Sequence, residues 1–164
     1  MIIFAIGNKS YNLALTKFPR HKNQIFKLDA DSITNAKNAF SSELIQQTPI
    51  MVFGLAGSNI LPIGTEVYVT ENYILSSTSA SQFTSKLEKP TLAHAPQLGV
   101  SCYTSKSFVT STDIKSPVIF DRALAFLIKD GFKIISSWRI VSDNLSIKQL
   151  NDFKKTKSAK IVEY

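Results

Sequence analysis

The segment Phe132 to Val141 is rich in Ile and Val and carries Trp138. Such a run has too few polar positions to leave one face in water, so it reads as a buried strand. It delivers Ser142, Asp143 and Asn144 to its C-terminal end. In open α/β sheets, ligands bind beyond that end of the strands. The residues before it, Val118 to Gly131, read as a short helix. Ala123, Leu124, Phe126, Leu127 and Ile128 are apolar, Asp121 falls in the first turn, Lys129 in the last, and Gly131 just past the end. One acid therefore starts a helix and a second ends the following strand.

Taken in order, the chain alternates strands and helices. Ile2 to Ile6 reads as a strand and Gly7-Asn8-Lys9-Ser10 as the turn after it. Tyr11 to Asn23 has no clean period, and Pro19 argues against a continuous helix there. Gln24 to Leu28 reads as a short strand. Asp31 or Ser32 then caps a helix to about Gln47, with Ile33, Ala36, Ala39, Phe40, Leu44 and Ile45 on one stripe. Ile50 to Phe53 is a nearly continuous apolar run that enters Gly54-Leu55-Ala56-Gly57-Ser58. Small residues at the end of a buried strand admit a ligand or another backbone; a tight strand exit with no ligand accounts for them equally well. Glu66 to Val69 alternates as a half-buried strand, 74–95 is Ser/Thr-rich and reads as loop, and Leu98 to Tyr103 is another strand. Phe108 and Val109 stand out in a polar loop, where an aromatic either plugs the core or stacks on a flat ligand. Ser146 begins a last helix with Ile147, Leu150 and Phe153 on one face. His21 and His94 lie in polar or loop segments. The alternation predicts an α/β fold with a mostly parallel central sheet, without internal repeats.

At 164 residues the chain fits one domain, 1–164, which buries about 70% of its unfolded surface and needs no disulfides. Its single cysteine, Cys102, fits a reducing, cytoplasmic setting. Six apolar residues at the N-terminus read as a first strand rather than a signal peptide, and no run approaches a membrane span. The net charge is +7, but 16 of the 19 basic residues are Lys. Scattered lysines read as a solvated surface and, with only three Arg, argue against a nucleic-acid interface. The cluster Lys154, Lys155, Lys157 and Lys160 also reads first as solvated surface, with a patch for nucleic acid or an acidic partner as the alternative.

Three segments, in order, resemble the purine nucleoside phosphorylase and nucleosidase superfamily, particularly its methylthioadenosine/S-adenosylhomocysteine nucleosidase branch. In 49–69, a strand, Gly-Leu-Ala-Gly-Ser and a Leu-Pro-Ile-Gly turn are similar to the family's strand, Gly-x-Ala-Gly-Gly and Ile-Gly-Asp. The stretch 99–109 resembles the strand and loop that bring a base-stacking Phe. In 118–153, Phe-Asp stands where the family has Met-Glu, and Arg-Ile-Val-Ser-Asp-Asn where it has Arg-x-Ile-Ser-Asp.

The resemblance implies a three-layer α/β/α sandwich with a mixed, partly barrel-like sheet. It also implies hydrolysis of the N-glycosidic bond of a 5′-modified purine nucleoside, with neither metal nor organic cofactor, in a homo-oligomer. Asp143 would be the acid that protonates the departing base, with a raised pKa, oriented by Ser142. Asp121 would accept hydrogen bonds from ribose hydroxyls and Phe120 would pack on the sugar. Phe108 would stack on the base, the Val109 backbone would read its edge, and Ala56 and Gly57 would let the main chain come close. Arg139 would be structural, needing a buried partner.

The departures are equally specific. The family's nucleosidases place a Glu after the first strand to position water; here the turn is Gly-Asn-Lys-Ser. A second family acid is replaced by Ile119, a Gly-rich segment by Asp-Ser-Ile-Thr-Asn, and the chain is shorter than usual for the family. No Arg near the first turn offers to hold phosphate, although Lys9 is there. The alternative is a catalytically impaired nucleoside-binding or oligomeric interaction protein on the same fold. A blander role for Asp143 is to cap the last helix.

Overall fold

The computed structural model describes residues 1–76 and 81–156. Lys157 and Lys160 lie outside them, as do the side chains of Asp31, Ser32 and Leu44. Eight strands form one mixed sheet: β1 (Ile2–Ile6), β2 (Ile25–Leu28), β3 (Ile50–Ser58), β4 (Glu66–Leu75), β5 (Ser81–Lys86), β6 (Gly99–Thr104), β7 (Val118–Asp121) and β8 (Ile134–Asp143). Among the described residues four α-helices accompany them: α1 (Gly7–Lys17), α2 (Ser42–Gln47), α3 (Leu124–Lys129) and α4 (Ile147–Lys155). Two 3₁₀ segments, Pro19–Gln24 and Ala30–Ala39, flank β2.

The sheet closes on itself. β3 pairs with β7, β7 with β6, β6 with β4, β4 with β8 and β8 again with β3, a five-stranded barrel. β1 and β2 extend it in parallel from β3, and β5 extends it from β4. Successive side chains of a strand point to opposite faces, so each central strand feeds two cores. Phe4, Ile50 and Val52 pack with Ile33, Leu124, Leu127 and Phe132. Ile3, Ala5, Met51 and Phe53 pack with Leu13 and Ala14 of α1, Phe18, Trp138 and Phe153 of α4. Phe18 meets Phe53 and Trp138 edge-on, with centroids 5.3 and 5.0 Å apart. Helices thus lie on both faces of a mixed, barrel-forming sheet, as the resemblance implied.

Several element boundaries differ from the sequence reading. The expected turn at Gly7–Ser10 is the first turn of α1. Gly7, at φ 87°, lets the chain pass from strand to helix without a loop, a conformation that costs an L side chain energy. Pro19 does end this helix region, by starting a 3₁₀ turn. The expected 31–47 helix is split into the Ala30–Ala39 3₁₀ segment and α2, with Phe40 extended between them. Gly54 to Ser58 is not a strand exit, because β3 runs through it with β8 alongside. Val118–Asp121 is a strand, and α3 starts only at Leu124. Within 74–95, Ser81–Lys86 is an edge strand. On α4, Phe153 is buried but Ile147 is 54% exposed.

β3 changes neighbours along its length. Ile50 to Phe53 have β1 on one side, whereas Gly57 and Ser58 have β7. Among the described residues, 54–56 pair with β8 alone. β1 turns away into α1 at the point where β7 has not yet arrived. A gap opens there, walled by the ends of β1, β7 and β8.

Candidate active site

A cavity of about 630 Å³ occupies that gap, within the size range of small-molecule sites. Ile6 to Ser10 form one wall, Leu55 to Gly57 the floor, Phe120 to Ala123 another wall, and Arg139, Ser142 and Asp143 the end of β8. Leu150, Lys154 and Thr156 close it from the α4 side. A recess of about 30 Å³ continues between Phe108, Val109, Phe120, Gly57, Asp143 and Leu145. Among the described residues no group of three His, Cys, Asp or Glu side chains converges to hold a metal ion.

Asp143, the last residue of β8, is 1% exposed. Its Oδ1 accepts a hydrogen bond from Ser142 Oγ at 2.9 Å, and its Oδ2 accepts one from the Leu145 backbone N–H at 3.0 Å. The Leu145 backbone is left-handed, at φ 63°, and this sharp turn aims its N–H back at the carboxylate. Burial pushes the Asp143 pKa above the ordinary aspartate value. The hydrogen bonds from Ser142, Leu145 and Ser146 and the charge of Lys154 act in the opposite direction but do not cancel it. The cap of α4 is Ser146, whose Oγ accepts from Gln149 N. Gly57 faces Asp143 across the β3–β8 pairing. A Cβ there would stand 2.9 Å from Asp143 Oδ2 and 3.3 Å from Leu145 Cδ2, so only glycine leaves the carboxylate its place.

Asp121 ends β7 and sits 18 positions before its ion-pair partner, Arg139, at 2.7 Å. Both side chains are almost wholly buried. Such a pair is tolerable only when its remaining valences are met. Arg139 Nε donates to Ser137 Oγ and Nη1 to the carbonyl of Leu55. Asp121 Oδ1 accepts from Thr104 Oγ1 at 2.5 Å, and Oδ2 from the Leu124 N–H at 2.9 Å. The second contact caps α3 from outside the helix, which is why the sequence pattern drew Asp121 into it. Thr104 is in turn hydrogen-bonded by Asn72. The network ties β4, β6, β7 and β8 together. It leaves Asp121 on the cavity wall with its charge matched and acceptor capacity on Oδ1.

The remaining residues named from the sequence also border this space. Ala56, Gly57, Phe108, Phe120 and Ser142 line the main cavity, and Val109 lines the recess with Phe108. Phe120 is 5% exposed, tilted against Tyr103 at 5.8 Å, and Phe108 is half-buried at the mouth. Ser142 Oγ also lies 3.3 Å from the carbonyl of Ala56, so its one proton has two acceptors in reach.

Other wall residues had little or no signal in the sequence. Lys9 comes in on the first turn of α1, and its Nζ donates to the carbonyl of Thr156. Ser10 is wholly buried beside it. Lys154 belongs to the cluster that read as solvated surface, yet it borders the cavity. Asn144 Nδ2 donates to the carbonyls of Ser58 and Leu61, pinning the end of β8 to the end of β3. The turn position of Lys9 and the strand-end position of Asn144, which supports the wall without lining it, were the cues available; Ser10 and Lys154 depend on long-range packing.

No protein-family model matches this sequence, and no curated protein matches it. Solved structures do. An Asp-to-Asn variant of the MTAN of Chlamydia trachomatis, solved bound to MTA, superposes at a TM-score of 0.68 with 16% identity, covering 99% of this chain and 92% of that one. The 5′-methylthioadenosine/S-adenosylhomocysteine nucleosidase of Helicobacter pylori gives 0.61 at 15% identity, covering 99% and 94%. The futalosine hydrolase of Helicobacter pylori gives 0.62 at 12%, covering 98% and 94%. The chain therefore shares the fold of these nucleosidases.

Proposed function

We propose that this protein binds a purine nucleoside in the β3/β7/β8 cavity and hydrolyses its N-glycosidic bond, with Asp143 as the acid. The observation that carries the reading is the state of Asp143. It is a buried carboxyl at a strand end, facing a cavity, with its pKa raised by desolvation. Breaking the bond leaves cationic character on the sugar and negative charge on the base. A carboxylic acid that keeps its proton nearer neutral pH can deliver it to N7 of the purine as the bond breaks. The base leaves neutral, Asp143 becomes the carboxylate, and water adds to C1′ of the sugar cation, its released proton going to solvent.

The other residues take their roles from this placement. Phe108 stacks on the base and the Val109 backbone reads its edge, in the recess that also holds Asp143. Phe120 packs on the sugar face. Asp121 accepts from a ribose hydroxyl through its remaining Oδ1 capacity, while the ion pair with Arg139 fixes its position. Ser142 holds the Asp143 carboxyl in one orientation. Ala56 and Gly57 let the nucleoside approach the backbone. The neighbours' ligands, MTA in one structure and adenine in another, support a purine as the base. We further propose that the chain self-associates in the cytoplasm as a single-domain protomer; equilibrium sedimentation at micromolar concentration reads the assembly, and a strict monomer contradicts it.

One observation favours a second reading, in which the fold binds a nucleoside without turning it over. The wall where a carboxylate would place the attacking water carries Asn8, Lys9 and Ser10 and no acid. A panel of 5′-modified purine nucleosides, assayed for both binding and release of adenine or hypoxanthine, separates the two. Release supports the hydrolase. Binding without release across the panel supports the second reading, and neither binding nor release rejects both.

A further inference from the structure

Asn72 of β4 is wholly buried, two strands away from Asp121 in the barrel order β7, β6, β4. A bulge puts it there. Val69 pairs with Val100 and Glu71 with the next residue, Ser101, so Thr70 is an extra residue in β4. The extra residue shifts the alternation of faces, and after Val67 and Val69 the next buried side chain is Asn72. Glu71 falls on the opposite face, where it accepts from the Tyr73 hydroxyl. An apolar residue would cost less inside a barrel than an amide, whose donors and acceptor must all be matched.

The orientation of this amide follows from its surroundings. Nδ2 lies 3.2 Å from the carbonyl of Cys102 and 3.1 Å from Thr104 Oγ1. A flipped amide would set oxygen against that carbonyl, so the nitrogen must face it. Oδ1 accepts from Thr84 Oγ1 of β5 at 2.6 Å. Thr104 Oγ1 is wholly buried and accepts from Asn72 Nδ2 and from the Ala125 N–H at 3.1 Å, which fills both its lone pairs. Its proton then goes to Oδ1 of Asp121 at 2.5 Å. The Cys102 thiol, kept neutral by burial beside the same carboxylate, is only a weak donor. Asn72 therefore sets the direction of the Thr104 proton, although it touches neither the cavity nor Asp121.

We propose that Asn72 is a positioning residue for sugar recognition, acting through Thr104 to hold Asp121 Oδ1 where a ribose hydroxyl can meet it. The role rests on the nucleoside reading of the cavity. Without the Asn72 donor, the Thr104 hydroxyl regains a free lone pair and can rotate, and Asp121 loses the contact that fixes Oδ1.

Calorimetric titrations with adenosine and with 2′,3′-dideoxyadenosine, which lacks both ribose hydroxyls, test the role. The ratio of the two affinities reads sugar recognition, because a general loss of packing weakens both ligands alike. Wild type is compared with Asn72→Leu, Thr104→Val and Thr104→Ser, each at a temperature where it is fully folded. Wild type should bind adenosine roughly tenfold tighter than the dideoxy compound, as for a hydrogen bond to a charged group. Asn72→Leu and Thr104→Val should each cut that ratio roughly fivefold with the dideoxy affinity unchanged, and Thr104→Ser, which keeps the hydroxyl, should retain it. A wild-type ratio in Asn72→Leu overturns the role of Asn72 and leaves the nucleoside reading standing. Equal binding of both ligands by wild type does the same, since Asp121 then does not read the sugar. If wild type binds neither ligand, the nucleoside reading falls and this role falls with it. Should Asn72→Leu misfold, the side-chain amide resonances of Asn72 in wild type decide. A shift with adenosine that dideoxyadenosine does not produce supports the role; equal shifts with both, or none with adenosine, overturn it.

Discussion

The hydrogen bonds to Asp143 do not replace the water its carboxylate loses on burial, and its chemistry follows from that deficit. The same deficit has a signature in stability. Because the folded pKa is raised above the ordinary value of 3.8, the folded state holds a proton that the unfolded state has released between those two values. Stability therefore falls as pH rises through that window, and the penalty is fully present above it. Asp143→Asn has no such penalty. Denaturant titrations should show the variant gaining on wild type as pH climbs from 3.8 toward neutrality, by about 1.4 kcal/mol for every pH unit that separates the folded pKa from 3.8. Wild type gaining on the variant contradicts the account. Gly57 belongs to the same argument. Gly57→Ala puts a Cβ 2.9 Å from Oδ2, too close for contact, so the carboxylate must shift. A displacement of this kind should lower base release on the order of a hundredfold with little change in nucleoside affinity; unchanged turnover would show that the position of Asp143 does not matter.

Elements set these residues in place by ending where they do. β8 ends at Asp143, β7 at Asp121, and β1 turns into α1 at Gly7. The Asp121–Arg139 pair locks two of these ends and is held by Thr104 on β6. Arg139→Met should destabilise by about 3–5 kcal/mol, because it strands a buried carboxylate. Adding Asp121→Asn should recover part of that loss, and equal stabilities of the single and double variants would show that the pair does not couple. Sequence pattern found the apolar strands because period and composition are local. It took Val118–Asp121 for helix because four apolar-rich residues carry no period of their own and Asp121 caps α3 from outside. It stopped β3 at Phe53 because glycines usually break a strand, whereas here Gly54 packs beside Ile6 and Ser10 and Gly57 leaves room for Asp143. The need of Arg139 for a partner was legible, but which acid would serve was not.

At the scale of the molecule, one feature makes the cavity: β3 exchanges β1 for β7 while β8 stays beside it. The barrel and the cavity are long-range results that serial order along the chain only hinted at. The residues named from resemblance converge because the ends of β3, β6, β7 and β8 converge, not because they are close in sequence. Lys154 shows the limit of local reading, since its run of lysines resembles open surface and one of them borders the site. Among the described residues no helix is long and apolar enough to cross a membrane.

The measurement that bears most directly on the central claim is adenine or hypoxanthine release, under saturating purine nucleoside, by wild type and Asp143→Asn with nucleoside binding measured in parallel. The account predicts that the variant binds the nucleoside with near-wild-type affinity and that its release falls at least a hundredfold, within the range for a lost general acid. A variant that binds and releases base at the wild-type rate contradicts it.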